Sequence, residues 1–507
     1  MDSQHSVDSQ HGVDSQDSAA RGADAQNNPA RSAQAQHNAV VDLMRIAPEA
    51  DELAERFTAA GYRLFLVGGS VRDALLGRLG ADLDFTTDAR PQQVRQILAG
   101  WADKIWDVGI EFGTVGGVKR GVTVEVTTFR SDVYDRVGRN PAVTFGDTIE
   151  GDLLRRDFTA NAMAVSLPDR EFFDPHGGLP AVARGVLDTP ATPQESFADD
   201  PLRMLRAARF VSQLGFTAAP RVLSAIGEMA PQINRVTAER VQAELTKLML
   251  GAHPRRGIEL MVDTGLADQV LPEVPAMRLE IDEHHQHKDV YQHSLVVLEQ
   301  AIEQERGEPD LVLRLAALLH DIGKPATRQF EPGGGVSFHH HEVVGAKMAR
   351  RRLRELRYSN DVIADVPQLV YLHLRFHGYG RGEWTDSAVR RYVTDAGPLL
   401  ARLHKLVRAD CTTRNKRKAL ALQRTYDDLE ARIERLRAAE DLARIRPDLD
   451  GNAIMRLLGL EPGPAVGQAW RYLKELRLER GPLARHEAEA ELLSWAREQG
   501  IEPPEQH

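Results

Sequence analysis

The stretch Leu66-Val67-Gly68-Gly69-Ser70-Val71-Arg72-Asp73, followed closely by Asp82-Leu83-Asp84, constrains this chain more than any other. The apolar run Tyr62 to Val67 predicts a buried strand. Gly68 and Gly69 have no side chains, so backbone N–H groups can approach an anion there, where a helix is expected to begin. Asp82 and Asp84 fall on a second predicted strand, where residues i and i+2 point to one face. Two like charges on one face repel unless cations sit between them, which is the geometry of a two-metal phosphoryl-transfer site. A lone glycine pair is usually a turn, and a lone DxD a solvated strand end. The order strand, glycine pair, helix, strand is what gives them weight together.

A length of 507 residues suits several domains. Residues 1–38 are low in complexity: Asp2-Ser3-Gln4 recurs as Asp8-Ser9-Gln10 and Asp14-Ser15-Gln16. With almost no bulky apolar residues this tail cannot offset its ordering entropy, so disorder is expected. It lacks the basic start and apolar stretch of a signal peptide. The single cysteine, Cys411, excludes an intrachain disulfide framework and fits a reducing cytoplasm. A net charge of −10 argues against a generally basic nucleic-acid coat but leaves room for local patches. Membrane-spanning runs are not evident.

Residues 39–190 alternate helical and strand patterns. Val122, Val124 and Val126 alternate with Thr123, Glu125 and Thr127, a half-buried strand that makes Glu125 a candidate third carboxylate or a solvated strand residue. Ser131–Gly151 reads as a long mobile loop. Beyond about 190 helices dominate, and Val241, Leu245, Leu248 and Met249 have the spacing of a packing face.

Arg155-Arg156-Asp157-Phe158-Thr159 offers arginines for phosphate oxygens and an aspartate for a ribose hydroxyl, or a surface salt bridge. Asp174-Pro175-His176-Gly177-Gly178 reads as a structural turn. In Asp199-Asp200-Pro201-Leu202-Arg203-Met204-Leu205-Arg206 a helix is predicted from near Pro201, with Arg203 and Arg206 on neighbouring surface. Asp200 is either its cap or half of a base-reading pair. Cytosine and adenine present an amino donor beside a ring-nitrogen acceptor, which Asp200 and Arg203 can match; guanine and uracil present the reverse.

In order, GGSVRD with DLD, RRDFTANAM, DPHGG, DDPLRMLRAARF and TAERVQAELTKL resemble the bacterial and eukaryotic class of CCA-adding tRNA nucleotidyltransferases and the related bacterial poly(A) polymerases, over about 40–270. The resemblance implies a head, neck, body and tail, with a sheet only in the head. It implies Mg²⁺ on Asp82 and Asp84. It implies nucleotide contacts from Arg156, Asp157, Asp200 and Arg203, beside the further candidates Gly68, Gly69, Arg72 and Arg206. Asp199 stands where the family usually has Glu. The implied reaction is attack of an RNA 3′-hydroxyl on the α-phosphate of CTP or ATP.

A second cluster comprises His293, Leu319-His320-Asp321-Ile322-Gly323-Lys324, His339-His340-His341, His373 and Asp410. Imidazole with carboxylate suits a transition metal, and adjacent His320 and Asp321 need partners from other helices. The set resembles the HD superfamily of metal-dependent phosphohydrolases, which implies His293, His320, Asp321 and Asp410 as ligands of a divalent metal of unknown identity. His341 and His373 compete with His339, His340 and His377, and Lys324 is a candidate phosphate contact. Arg350-Arg351-Arg352 with Arg354, and Arg414 with Lys416-Arg417-Lys418, are basic patches or solvated helix faces. Pro462-Gly463-Pro464 resembles the C-terminal module of HD-containing members.

The expected organisation is an α+β head (39–190), a helical neck (191–275), an HD domain (285–420) and a helical tRNA-binding tail (421–507). Expected partners are the tRNA 3′ end, CTP and ATP, with no membrane and no DNA, in the cytoplasm. Alternatives are a poly(A) polymerase, or an HD phosphohydrolase with an RNA-clamping head.

Overall fold

The computed structural model describes residues 48–504 apart from 79, 108–109, 111–112, 131–144, 279–288, 333–334, 379–383, 413–414 and 441–444. The N-terminal tail and most of the predicted loop 131–151 lie outside the described residues. The chain divides into two compact units: residues up to Arg203 with Phe216–Met229, and Met204–Gly215 with Ala230 onward.

The first unit is built on a mixed sheet of seven strands in the order β3-β4-β5-β2-β1-β6-β7. These are β1 (Leu64–Val67), β2 (Asp82–Thr87), β3 (Lys104–Trp106), β4 (Thr114–Lys119), β5 (Val122–Thr128), β6 (Ala164–Leu167) and β7 (Phe172–Phe173). Its helices are α1 (Pro48–Ala59), α2 (Gly69–Leu75), α3 (Pro91–Leu98), α4 (Ile149–Leu154), α5 (Gly178–Arg184) and α6 (Pro193–Asp199). The alternation in β2 and β5 is realised. Leu83, Phe85, Val124 and Val126 are buried on one face, while Asp82, Asp84, Thr123 and Glu125 take the other. The chain after Phe145 is not all loop: Thr148 accepts a hydrogen bond from the Gly151 N–H and starts α4. Ile149 and Leu153 of that helix bury against Phe65, Val67 and Phe129. Asp174 accepts from the N–H groups of Gly178 and Leu179, bracing α5 as a structural turn.

Helix α7 (Leu202–Leu214) carries the boundary between the units. A short parallel pair, β8 (Val186–Leu187) with β9 (Thr217–Ala218), and α8 (Pro220–Met229) complete the first unit.

The second unit is helical apart from a small hairpin, β10 (Gln329–Phe330) with β11 (Val336–Ser337). It continues with α9 (Ala238–Met249), α10 (Pro254–Asp263), α11 (Leu266–Val270), α12 (Val290–Glu303), α13 (Leu311–Leu319), α14 (Lys324–Thr327), α15 (His341–Glu355), α16 (Asn360–Leu372), α17 (Asp386–Ala396) and α18 (Leu400–Ala409). Val241, Leu245, Leu248 and Met249 are buried, as the packing face required. Buried Arg314 on α13 donates to the Met249 and Gly251 carbonyls and pairs with Glu305, tying α13 to the end of α9. After α19 (Lys416–Ala439), helices α20 (Gly451–Leu458), α21 (Pro464–Arg480) and α22 (Arg485–Glu498) share a core that includes Ile454, Leu458, Leu473 and Leu492. None of the described helices is long and apolar enough to cross a membrane.

Candidate active sites

The head site begins at the end of β1. Gly68 has φ 71°, a left-handed conformation that favours glycine. A Cβ on Gly68 would lie 2.8 Å from Arg156 Nη1 and 3.8 Å from Asp84 Oδ2. The glycine pair therefore lets the start of α2 sit directly against the carboxylate strand. Ser70, which the sequence reading passed over, fixes this arrangement: its hydroxyl accepts from the Asp84 N–H at 3.0 Å and donates to the Asp82 carbonyl at 3.2 Å.

Asp84 lies directly across from Glu125 in the parallel β2–β5 register. Paired residues on neighbouring strands share a face, so Asp82, Asp84 and Glu125 present their carboxylates together. Burial is the main cause that raises the Asp84 carboxyl above its ordinary range; Glu125 and Asp82 push the same way, and Arg156 opposes them. Three oxygen-donor groups that repel one another match a hard cation such as Mg²⁺.

The arginines divide by role. Arg72 is buried; it grips Asp73 and donates to Asn161 Oδ1 at 2.6 Å, while Asn161 donates to Asp157 Oδ1 at 2.9 Å. Arg72 and Asp157 thus belong to a buried network that holds the turn. Arg156 donates to Asp152 at 3.2 Å, and its buried Nε has no hydrogen-bond partner among the described residues. Asp200 accepts from the Leu202 N–H at 3.1 Å, a cap on α7. Arg203 donates to Ser196 Oγ at 2.8 Å and to the Arg155 carbonyl at 2.6 Å, which couples α7 to the turn carrying Arg156. Arg206 falls in the second unit, 4.0 Å from Glu244.

The second site gathers the ends of five helices. His293 sits in the first turn of α12, His341 begins α15, and His320, His373 and Asp410 follow the last turns of α13, α16 and α18. Three negative helix-dipole ends thus meet two positive ones at the cluster. Gly323 makes the approach possible, because a Cβ there would lie 2.1 Å from the His341 carbonyl oxygen.

Asp321 connects two groups of imidazoles. Its Oδ2 lies 3.2 Å from His320 Nε2 and 3.6 Å from His293 Nε2. Its Oδ1 lies 3.3 Å from His341 Nε2 and 3.9 Å from His373 Nε2. Asp410 Oδ1 closes the first group, 2.9 Å from His293 Nε2. His320, His341 and His373 each place Nδ1 at 2.6–2.9 Å from a backbone carbonyl, of Ala317, Phe338 and Val370 respectively. A carbonyl only accepts, so Nδ1 carries the proton and a neutral ring turns its Nε2 lone pair to the cluster. His293 Nδ1 meets Thr412 Oγ1 at 3.1 Å.

Burial pushes His373 down to about 3, so it stays neutral. Burial opposes ionisation of Asp321, but His320, His341 and Lys324 outweigh it and hold the carboxyl well below its usual range. Burial likewise works against His320, and the Asp321 and Asp410 carboxylates overcome it and raise the imidazole. Such a donor set fits transition-metal ions. Of the competing histidines, His341 and His373 are buried, whereas His340 has a left-handed backbone and His339 and His340 are exposed; the side chain of His377 lies outside the described residues. Lys324 donates to Asp321 Oδ2 at 2.6 Å.

Comparison with known proteins gives the family. Family models match residues 64–188 as a poly A polymerase head domain, 215–277 as a probable RNA and SrmB-binding site of polymerase A, and 290–415 as an HD domain. The A-adding tRNA nucleotidyltransferase of Deinococcus radiodurans is 33% identical over 441 residues, covering 85% of this chain and 95% of that protein. The CCA-adding enzyme of Anoxybacillus flavithermus is 31% identical over 424 residues, covering 83% and 90%.

The chain belongs to the CCA-adding tRNA nucleotidyltransferase family.

The crystal structure of the Bacillus stearothermophilus CCA-adding enzyme in complex with CTP superposes with a TM-score of 0.65 at 26% identity, covering 90% of this chain and 98% of that one. The protein is therefore a nucleotidyltransferase with an HD domain in the same chain. Within this tRNA nucleotidyltransferase the first unit brings together Gly68, Gly69, Asp84, Glu125 and Arg156. Arg203 is tied to the turn carrying Arg156 through the Arg155 carbonyl, and Asp200 caps the helix that bears Arg203.

Proposed function

We propose that the head of this nucleotidyltransferase builds the 3′-terminal CCA of tRNA from CTP and ATP without a nucleic-acid template. The observation that carries this reading is the Asp82, Asp84 and Glu125 face set against the Gly68–Gly69 turn and Arg156. Asp82 and Asp84, with Glu125 beside them, would hold Mg²⁺, which supplies acidification of the RNA 3′-hydroxyl and charge stabilisation on the phosphates. The backbone at Gly68 and Gly69 cradles the triphosphate, and Arg156 pairs with its oxygens. Arg72 and Asp157 keep that turn in place through Asn161. Asp200 and Arg203 select bases with an amino donor beside a ring-nitrogen acceptor. No side chain is required as general base.

The relatives divide on one point, since one is named for A addition and the other for CCA addition. Purified protein with tRNA lacking its 3′ end, supplied with CTP alone, ATP alone or both, tests the reading. Two C residues followed by one A support it, and extension with A alone assigns the head to A addition.

The HD cluster supports hydrolysis of phosphoesters as a second activity. His293, His320, Asp321 and Asp410 would hold one divalent ion, and His341 and His373 a second one across Asp321. Bound ions would polarise a phosphoryl oxygen and acidify a water. Lys324, beside Asp321, is placed to neutralise a substrate phosphate. The cytoplasm is the compartment that suits a tRNA substrate and a lone thiol.

A further inference from the structure

Helix α15 begins at the buried cluster residue His341 and runs to Glu355. Its inner face buries Gly345, Ala349 and Leu353. Its outer face carries Lys347, Arg350, Arg351 and Arg354, all exposed. Positions i, i+3, i+4 and i+7 lie on one side of a helix. The stripe therefore starts about 9 Å along the helix from His341 and ends about 20 Å from it.

None of these four cations has a carboxylate within ion-pair distance among the described residues. Arg352, just off the stripe, is different: it pairs with Glu273 and Glu355. The helix dipole favours cations only in the last turn, which accounts for Arg354 but not for Lys347 or Arg350. Like charges three and four residues apart repel, so the stripe weakens α15 unless an anion lies along it. No large exposed apolar side chain accompanies it, which separates it from a membrane-inserting face. In a chain of net charge −10 belonging to a tRNA-modifying family, an extended row of unmatched guanidinium groups fits a phosphate backbone.

We propose that the outer face of α15 docks the backbone of an RNA strand, so that the HD cluster acts on a phosphate at the end of an RNA chain in preference to that of a free nucleotide. This rests on the hydrolytic reading of the cluster. In the reaction a water adds to phosphorus, the ester P–O bond to the RNA breaks, and inorganic phosphate leaves. The freed RNA oxygen takes the proton.

The test uses the full-length protein with Lys347→Gln, Arg350→Gln, Arg351→Gln and Arg354→Gln combined, compared with the parent. The plot of log affinity for tRNA against log salt is expected to become shallower by about 3, the loss of roughly four phosphate contacts on a single strand. KM for phosphate release from a 3′-phosphorylated RNA oligomer is expected to rise at least ~10-fold with kcat held. Release from a 3′-nucleoside monophosphate, too short to reach the stripe, should stay unchanged and reports that the variant is folded. An unchanged salt slope, or an unchanged KM for the oligomer, overturns the proposal. If the parent releases phosphate from neither substrate, the hydrolytic reading fails, and the salt slope alone still decides the docking surface.

Discussion

The two candidate sites solve opposite electrostatic problems. In the head, Asp82, Asp84 and Glu125 stand side by side on paired strands, and burial and mutual repulsion raise Asp84. In the HD cluster, Asp321 and Asp410 are held below their usual range by the imidazoles around them. A site of repelling oxygens would be completed by ions that arrive with a triphosphate. A site whose carboxylates already face imidazoles is suited to ions that stay. The two phosphoryl chemistries proposed for this chain would differ by where the acidic groups are held: strand faces that collect like charges, or helix ends that mix donors.

The largest effects should separate the sites completely. Asp82→Ala or Asp84→Ala is expected to lower nucleotide incorporation by at least ~10³-fold and to spare phosphatase activity. Incorporation that survives would remove the metal assignment in the head. His320→Ala with Asp321→Ala should do the reverse, measured by phosphate release beside CCA synthesis on the same preparation. A finer cut falls inside the HD cluster. His341→Ala with His373→Ala should reduce tightly bound metal from two ions per chain to one by elemental analysis; an unchanged content would make Asp321 a ligand on one side only.

Smaller effects sharpen the head. Arg203→Ala is expected to weaken selection of CTP and ATP over GTP and UTP by ~10- to 100-fold. Arg203 also ties Ser196 to the Arg155 carbonyl, so a variant that loses rate with selectivity intact would show that this tether is its whole role. The smallest effect is on stability. Asp84 titrates above its ordinary range, so the native state holds the extra proton between the two values and stability falls as pH rises through that window. Above it the charged, buried carboxylate opposes folding. Asp84→Asn should therefore raise the melting temperature of chelator-treated protein at neutral pH by ~1–3 °C, with the gain vanishing below the ordinary carboxylate range. Equal melting temperatures at neutral pH would contradict a raised Asp84.

The glycine pair, the DxD strand and the alternation around Glu125 were readable because strand period and glycine freedom are local properties. The same holds for the adjacent His320 and Asp321. The role of Ser70 was not readable, because its hydroxyl acts across to β2. His341 and His373 are set apart from His339 and His340 only by burial, since five helix ends converge through tertiary packing. Helix α4 was hidden in a polar segment because Ile149 and Leu153 gain their value from Phe65 and Phe129, far away in sequence.

By itself the sequence determined which groups are present: a glycine turn beside paired carboxylates, an imidazole–carboxylate set, and a mixed head followed by helices. Tertiary structure decided which groups meet. Register placed Glu125 beside Asp84, Gly323 let α15 close on the end of α13, and Asp321 came to face both pairs of histidines. The physical reason is that periodicity fixes the face a side chain takes, whereas only packing fixes what lies opposite that face.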